Sequence, residues 1–262
     1  MRNNQPVTQR EITLAPSQKL ISATDVEGKI TYCNDAFVDI SGFERTDLIG
    51  APQNIVRHPD VPPAVFAHMW RALKQGQPWM GIVKNRSKNG DHYWVNAYVT
   101  PIFEGSRVVG FESVRVKPSA DEIRRAQALY RRISQGKSAV SRRDGWLSTL
   151  FDSAPYVATG LAGAVGGLFL SAPLAMAVAV AVAVPVGMIG AQLRQRATLR
   201  LLAGVEPSTS DALIAQMYSD ERGPQARLET AFLSQNARLK TCLTRLQDSA
   251  EQLSALAGQS NR

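Results

Sequence analysis

Two short apolar runs near the start of the chain, Leu20–Asp25 and Ile30–Cys33, read as strands joined by a turn at Val26-Glu27-Gly28-Lys29. Asn34-Asp35 then caps a helix over 36–41, with Phe37 and Ile40 on one face and Gly42 ending it. Residues 46–50 make a further single turn, and 52–63 form a loop punctuated by prolines. Phe66, Met69, Trp70 and Leu73 recur at helical spacing over 64–75, and Gly76 closes that helix. The stretch 79–103 organises the rest, as two strands about a tight turn. Asn89-Gly90 is the dipeptide that best tolerates positive φ, the strongest short hairpin signal. Residues 93–103 are rich in aromatic and β-branched side chains, as a half-buried strand should be. Glu104-Gly105-Ser106 turns the chain into a last strand over 108–116. Two strands, short helices and three strands predict one mixed α+β domain of about a hundred residues, placed at 17–118. Residues 1–16 are polar and irregular, a cap or arm with no core of its own.

The pattern changes after this domain. Residues 119–152 are a charged linker with helical periodicity over 121–133. From Ser153 to Leu193 there is no charged residue, a run of about forty against the roughly twenty that one spanning helix needs. Pro173 falls near its middle, Arg142 and Arg143 precede it, and Arg194, Arg196 and Arg200 follow it. Arginines at both ends place both on the cytoplasmic side. The reading is a transmembrane helical hairpin over 153–193 with both termini cytoplasmic, in a bacterial inner membrane. The glycines at 160, 163, 166, 167 and 190 permit close helix contact. Residues 194–262 read as a cytoplasmic helical region whose short amphipathic segments, 201–207 and 211–218, vaguely resemble a HAMP adaptor. Phe232, Asn236, Leu239, Leu243, Leu246, Ala250, Leu253 and Ala257 alternate spacings of four and three, a coiled-coil seam that predicts a homodimer.

Composition sharpens this only in part. The formal charge of +8 suits nucleic acid or an anionic membrane surface. The arginines cluster about the uncharged run and no nucleic-acid motif is present, so the membrane is expected and nucleic acid is not. Cys33 and Cys242 give neither metal spacing nor a disulfide framework. No catalytic constellation stands out, and an enzyme is not expected. Of the three histidines, His58, His68 and His92, the last two lack cysteine or acidic neighbours at metal-ligand spacing, and there is no nucleophile elbow or phosphate loop.

What the residues do suit is a planar cofactor with polar edges. Such a ring needs apolar walls, amides at its edge and cationic donors for attached phosphates. Asn34 and Asn85 offer amides; Phe66, Trp70, Trp79 and Tyr93 offer walls. Arg57 and His58 suit a pyrophosphate or adenosine, and Asp60 a ribose or the orientation of Arg57. Plainer readings stand beside these: tryptophans as core, Asn34 as a helix cap, and 57–60 as a loop without a ligand.

Trp79, Gly81, Asn85-Arg86, Lys88-Asn89-Gly90-Asp91 and Tyr93-Trp94-Val95 together resemble the central hairpin of a PAS domain. With Val56-Arg57-His58-Pro59-Asp60 upstream, the region 7–116 resembles the PAS sensor of aerotaxis transducers of the Aer type, which bind FAD. The resemblance implies a five-stranded antiparallel sheet with short helices. It implies FAD contacts at Asn34, Arg57, His58, Asp60, Asn85 and Trp70, and an output through a chemotaxis kinase complex. Those transducers continue into a long coiled-coil hairpin that contacts kinase and adaptor. This sequence reaches Arg262 after one helix, so the expectation is a short form, a fragment, or a chain acting through a longer chemoreceptor. The expected function is a membrane-anchored redox or oxygen sensor. The alternative is a cofactor-free PAS interaction module, a scaffold pairing with a longer receptor. A haem on His58 or His68 fits the motif less well than FAD.

Overall fold

The structure is a computed structural model, and it describes residues 4–139, 211–221 and 223–260, with scattered helical positions between 154 and 200. Five antiparallel strands form one sheet in the order β2-β1-β5-β4-β3. They are β1 (Leu20–Asp25), β2 (Ile30–Cys33), β3 (Trp79–Arg86), β4 (His92–Glu104) and β5 (Arg107–Val116). Three short helices, α1 (Asp35–Ser41), α2 (Arg45–Leu48) and α3 (Pro63–Lys74), lie between β2 and β3. They enclose a core that includes Phe37, Leu48, Leu73 and Trp79. The Asn89-Gly90 turn is part of a five-residue loop, closed by the Ser87 amide donating to the Asp91 carbonyl at 2.8 Å.

The N-terminal arm is docked. The His92 amide donates to the Arg10 carbonyl at 3.0 Å, and the Ile12 amide to the His92 carbonyl at 2.7 Å. Leu14 enters the core, contributing about 2 kcal/mol by its burial. The arm therefore shares the domain's core, which a reading of its polar composition alone does not anticipate.

β3 is an edge strand, and edges need cover. The loop after the single 3₁₀ turn Gln53–Val56 supplies it, pairing Arg57 with Asn85 in an antiparallel bridge. This loop crosses from one face of the sheet to the other. Arg57 lies on the cavity side, while Asp60 meets Lys84 beside Trp94 and Tyr130.

Past the sheet, α4 (Ala120–Ser134) opens with a complete capping box on Ser119 and Glu122. Its Tyr130 hydroxyl donates to the Ile82 carbonyl. Next, α5 (Ala212–Tyr218) packs against α4 and β3. Tyr218 donates to Asn96 Oδ1 at 2.8 Å, and Arg125 pairs with Asp220 at 2.7 Å. The long helix α6 (Pro224–Ser260) leaves Phe232, Leu239, Leu243 and Leu246 exposed. The expected hairpin over 153–193 falls mostly outside the described residues, and the segment 201–207 wholly so. Among the described residues, no helix is long and apolar enough to cross a membrane.

Candidate functional site

A buried cavity lies between the inner face of the sheet and α3. Strand alternation makes the wall: Trp79, Val83 and Asn85 of β3, with Ala97 and Val99 of β4, all point one way. α3 adds Phe66, Met69 and Trp70, the stripe legible as a helical period. The 3₁₀ turn and the following loop add Gln53, Asn54, Val56 and Arg57, and β5 adds Arg115.

Of the nine residues singled out from sequence, Arg57, Phe66, Trp70, Trp79 and Asn85 converge here. Asn34 does not. Its Oδ1 caps α1 through the Phe37 amide at 3.1 Å and accepts from the Ile21 amide at 3.0 Å, while its Nδ2 donates to the Lys19 carbonyl. The plain reading of Asn34 as a cap fits the Phe37 bond, and the bonds to Ile21 and Lys19 tie the same amide to β1. Tyr93 is buried behind Asn85 and Arg115, and burial pushes its phenol well above the usual range.

His58 and Asp60 belong to a second cluster. The Asp60 amide donates to His58 Nδ1 at 3.1 Å, and Lys84 donates to Asp60 Oδ2 at 2.7 Å. The His58 and His92 rings meet edge-on at 5.7 Å. Burial and the nearby Lys84 charge press the His58 imidazole down to about 4, and the same two causes lower His92. Burial works to raise the Asp60 carboxyl, yet the Lys84 hydrogen bond and the facing His58 hold it below the usual range.

Arg57 is 6% exposed, donates through Nη2 to the Val61 carbonyl at 2.6 Å, and stacks its guanidinium 4.4 Å from the Phe66 ring. Its Nε and the Gln53 Nε2 are buried without partners among the described residues. Orphaned buried donors are costly, so these two suit acceptors on a ligand.

Two glycines matter to the cavity's shape. A Cβ at Gly81 would lie 2.3 Å from the Trp79 ring, and one at Gly28 would lie 2.9 Å from Trp70. Both indoles fold inward over these glycines, and the enclosed space is about 80 Å³. Cofactor pockets are usually several hundred Å³. The donors and walls fit a flavin chemically, but a three-ring system enters only if Trp70 or Trp79 swings aside.

The Trp79 indole N–H also leads outward. It donates to His68 Nδ1 at 3.1 Å, so the His68 proton sits on Nε2, which faces Asp211 Oδ1 at 3.4 Å. Asp211 caps α5, accepting from the Leu213 amide at 2.7 Å. The cavity wall is thus linked to a helix more than a hundred residues further along the chain.

Gln53, Gly81 and Arg115 were not singled out as ligand contacts from sequence. Arg115 carried one usable signal: a charged residue two positions from Ser113 and four from Phe111, on the strand face that those residues share.

Residues 30–115 match the family model described as the PAS fold. The chain is 43% identical over 156 residues to the aerotaxis receptor of Escherichia coli (strain K12), covering 57% of this chain and 31% of that protein. Residues 30–115 are thus similar to the PAS fold, and the chain is similar to part of the aerotaxis receptor. The chain is also 33% identical over 82 residues to a nitrogen fixation regulatory protein of Klebsiella pneumoniae, covering 31% of this chain and 17% of that one. A solved light-oxygen-voltage domain studied with a flavin analogue covers 46% of this chain and 90% of its own, at 20% identity and a TM-score of 0.39. The match to the aerotaxis receptor spans under a third of that receptor's length.

Proposed function

We propose that this chain is a membrane-anchored sensor of cellular redox state that holds FAD in its PAS domain and relays the state of that cofactor through α5 and α6. One observation carries the reading: Arg57, Asn85 and two indoles, drawn from a loop, a strand and a helix, converge on one buried cavity that contains orphaned donors. Bound FAD would supply a ring that accepts electrons reversibly and changes charge as it does so. Arg57 would hold the phosphates. Phe66, Trp70 and Trp79 would wall the ring and exclude water. Asn85 would face its edge, because an amide can rotate to offer either donor or acceptor. Trp79 would carry a change in ring position through His68 to Asp211 and α5. The exposed apolar seam of α6 supports pairing with a second copy. By likeness to aerotaxis receptors the output is control of a chemotaxis kinase complex, through this chain or a longer receptor.

The test is a spectrum of the purified full chain before and after dithionite. A yellow protein whose heat-released supernatant contains FAD rather than FMN is expected. A folded, colourless protein that ignores added FAD would end the proposal and favour the second reading, a cofactor-free interaction module. The small closed volume of the cavity is the observation on that side.

Anchoring rests on the charge-free run and its flanking arginines. Reporter fusions at Asp144 and Gln195 should both report cytoplasm, and one near Pro173 the periplasm or the membrane interface. Opposite sides for the first two would mean a single span.

A further inference from the structure

Burying a cation without an anion is among the costliest things a fold can do. Arg115 is 7% exposed on β5, and among the described residues no carboxylate lies within ion-pairing distance of it. Its contacts are a neutral hydrogen bond from Nη1 to Ser22 Oγ at 2.9 Å and the Phe37 ring at 5.4 Å. Among the described residues, Arg57, the other guanidinium lining the cavity, likewise has a carbonyl and a ring as side-chain partners and no carboxylate. Two guanidiniums without carboxylates among the described residues therefore face one cavity, from a loop and from a strand. Burial depresses both, Arg115 to about 10. Neither leucine nor glutamine at 115 would incur this cost, and either could fill the strand position, so packing alone does not account for the charge.

We propose that Arg115 is a specificity-determining residue, making the cavity hold a reduced, negatively charged flavin more tightly than the oxidised, neutral one. The inference rests on the FAD reading above. Two electrons and one proton taken up by a neutral isoalloxazine leave it with one negative charge. The electrons come from the reductant, here dithionite, and the proton from solvent. A fixed, buried guanidinium stabilises that charge and costs little reorganisation when it forms. Arg57 cannot serve alike, since a phosphate is anionic in both states and offers it no preference.

The experiment measures the flavin midpoint potential of the purified full chain during dithionite titration with a reference dye. Arg115→Gln should weaken the reduced form relative to the oxidised at least tenfold, a fall of about 30 mV for a two-electron couple. Arg115→Lys, which keeps the charge, should recover most of that shift. Should Arg115→Gln fail to fold, Ser22→Asp gives the same reading with the arginine in place: a carboxylate beside Nη1 neutralises its field, and the potential should again fall. Flavin bound with an unchanged midpoint in Arg115→Gln, or in Ser22→Asp where that variant is used, overturns the inference and leaves FAD sensing standing. Wild-type protein that takes up no FAD overturns both.

Discussion

Arg57→Ala is expected to leave the purified protein largely free of flavin. The side chain sits in the cavity wall with its Nε unpartnered and its guanidinium braced between the Val61 carbonyl and the Phe66 ring. That bracing fixes a long, otherwise mobile side chain before any ligand arrives, so its ordering cost is met on folding. Losing a hydrogen bond to a charged group costs about 1.5–3 kcal/mol, or roughly ten- to more than a hundredfold in affinity. Because a phosphate carries its charge in both redox states, the residual bound flavin should keep the wild-type midpoint. This separates Arg57 from Arg115. FAD titration followed by fluorescence quenching reads the affinity, and a melting curve of the ligand-free protein reads any damage to the loop. Unchanged FAD affinity in a folded Arg57→Ala protein would remove Arg57 from the site.

Acidification is expected to destabilise the domain steeply between pH 6.5 and pH 4. His58 is 2% exposed, and its folded value of about 4 lies far below its ordinary 6.5. Burial and Lys84 oppose its charged form, and His92 and Arg86 add to them; Asp60 alone favours it. In this window the unfolded chain binds more protons than the folded one, so stability falls as pH falls. The His58 contribution is complete above pH 6.5, drains away through the window and levels off below pH 4. A shift of this size corresponds to about 3 kcal/mol, or a drop in melting temperature of roughly 12–24 °C for a domain of about a hundred residues. His92 is lowered for the same reasons and acts in the same direction. The Asp60 carboxyl is also depressed and adds a further loss at lower pH, once it protonates. Thermal melts of wild type and His58→Gln at pH 7 and pH 4.5 isolate the histidine. The mutant's curve should be the flatter one, and parallel curves would show that His58 is not the group responsible.

His58 and Asp60 also show why proximity in sequence misleads about a site. Within four consecutive positions the backbone passes around the edge of β3, so Arg57 and Asp60 finish on opposite faces of the sheet. The run Arg57-His58-Pro59-Asp60 reads as one ligand-binding unit. In the structure it is a cavity residue followed by a polar cluster in which His58 is buried and Asp60 exposed.

The sequence by itself determined the local elements. β1 and β2 fall at the predicted positions, and α3, β4, β5 and α4 differ only at their ends. Apolar periodicity, glycine stops and the Asn-Gly turn are local signals, set by φ/ψ preference and by which face must be buried. The stripe Phe66, Met69 and Trp70 was legible for the same reason, and it does line the cavity. Tertiary structure alone decided what faces that stripe. Pairing β1 with β5 sets Arg115 against Ser22, a contact across 93 positions that no local pattern encodes. The same holds for the path from Trp79 through His68 to Asp211, which depends on α5 packing beside β3. For Asn34, cap and ligand amide are equally good readings of one residue type. The choice fell to the hydrogen bonds to Ile21 and Lys19, which exist only once β1 lies alongside.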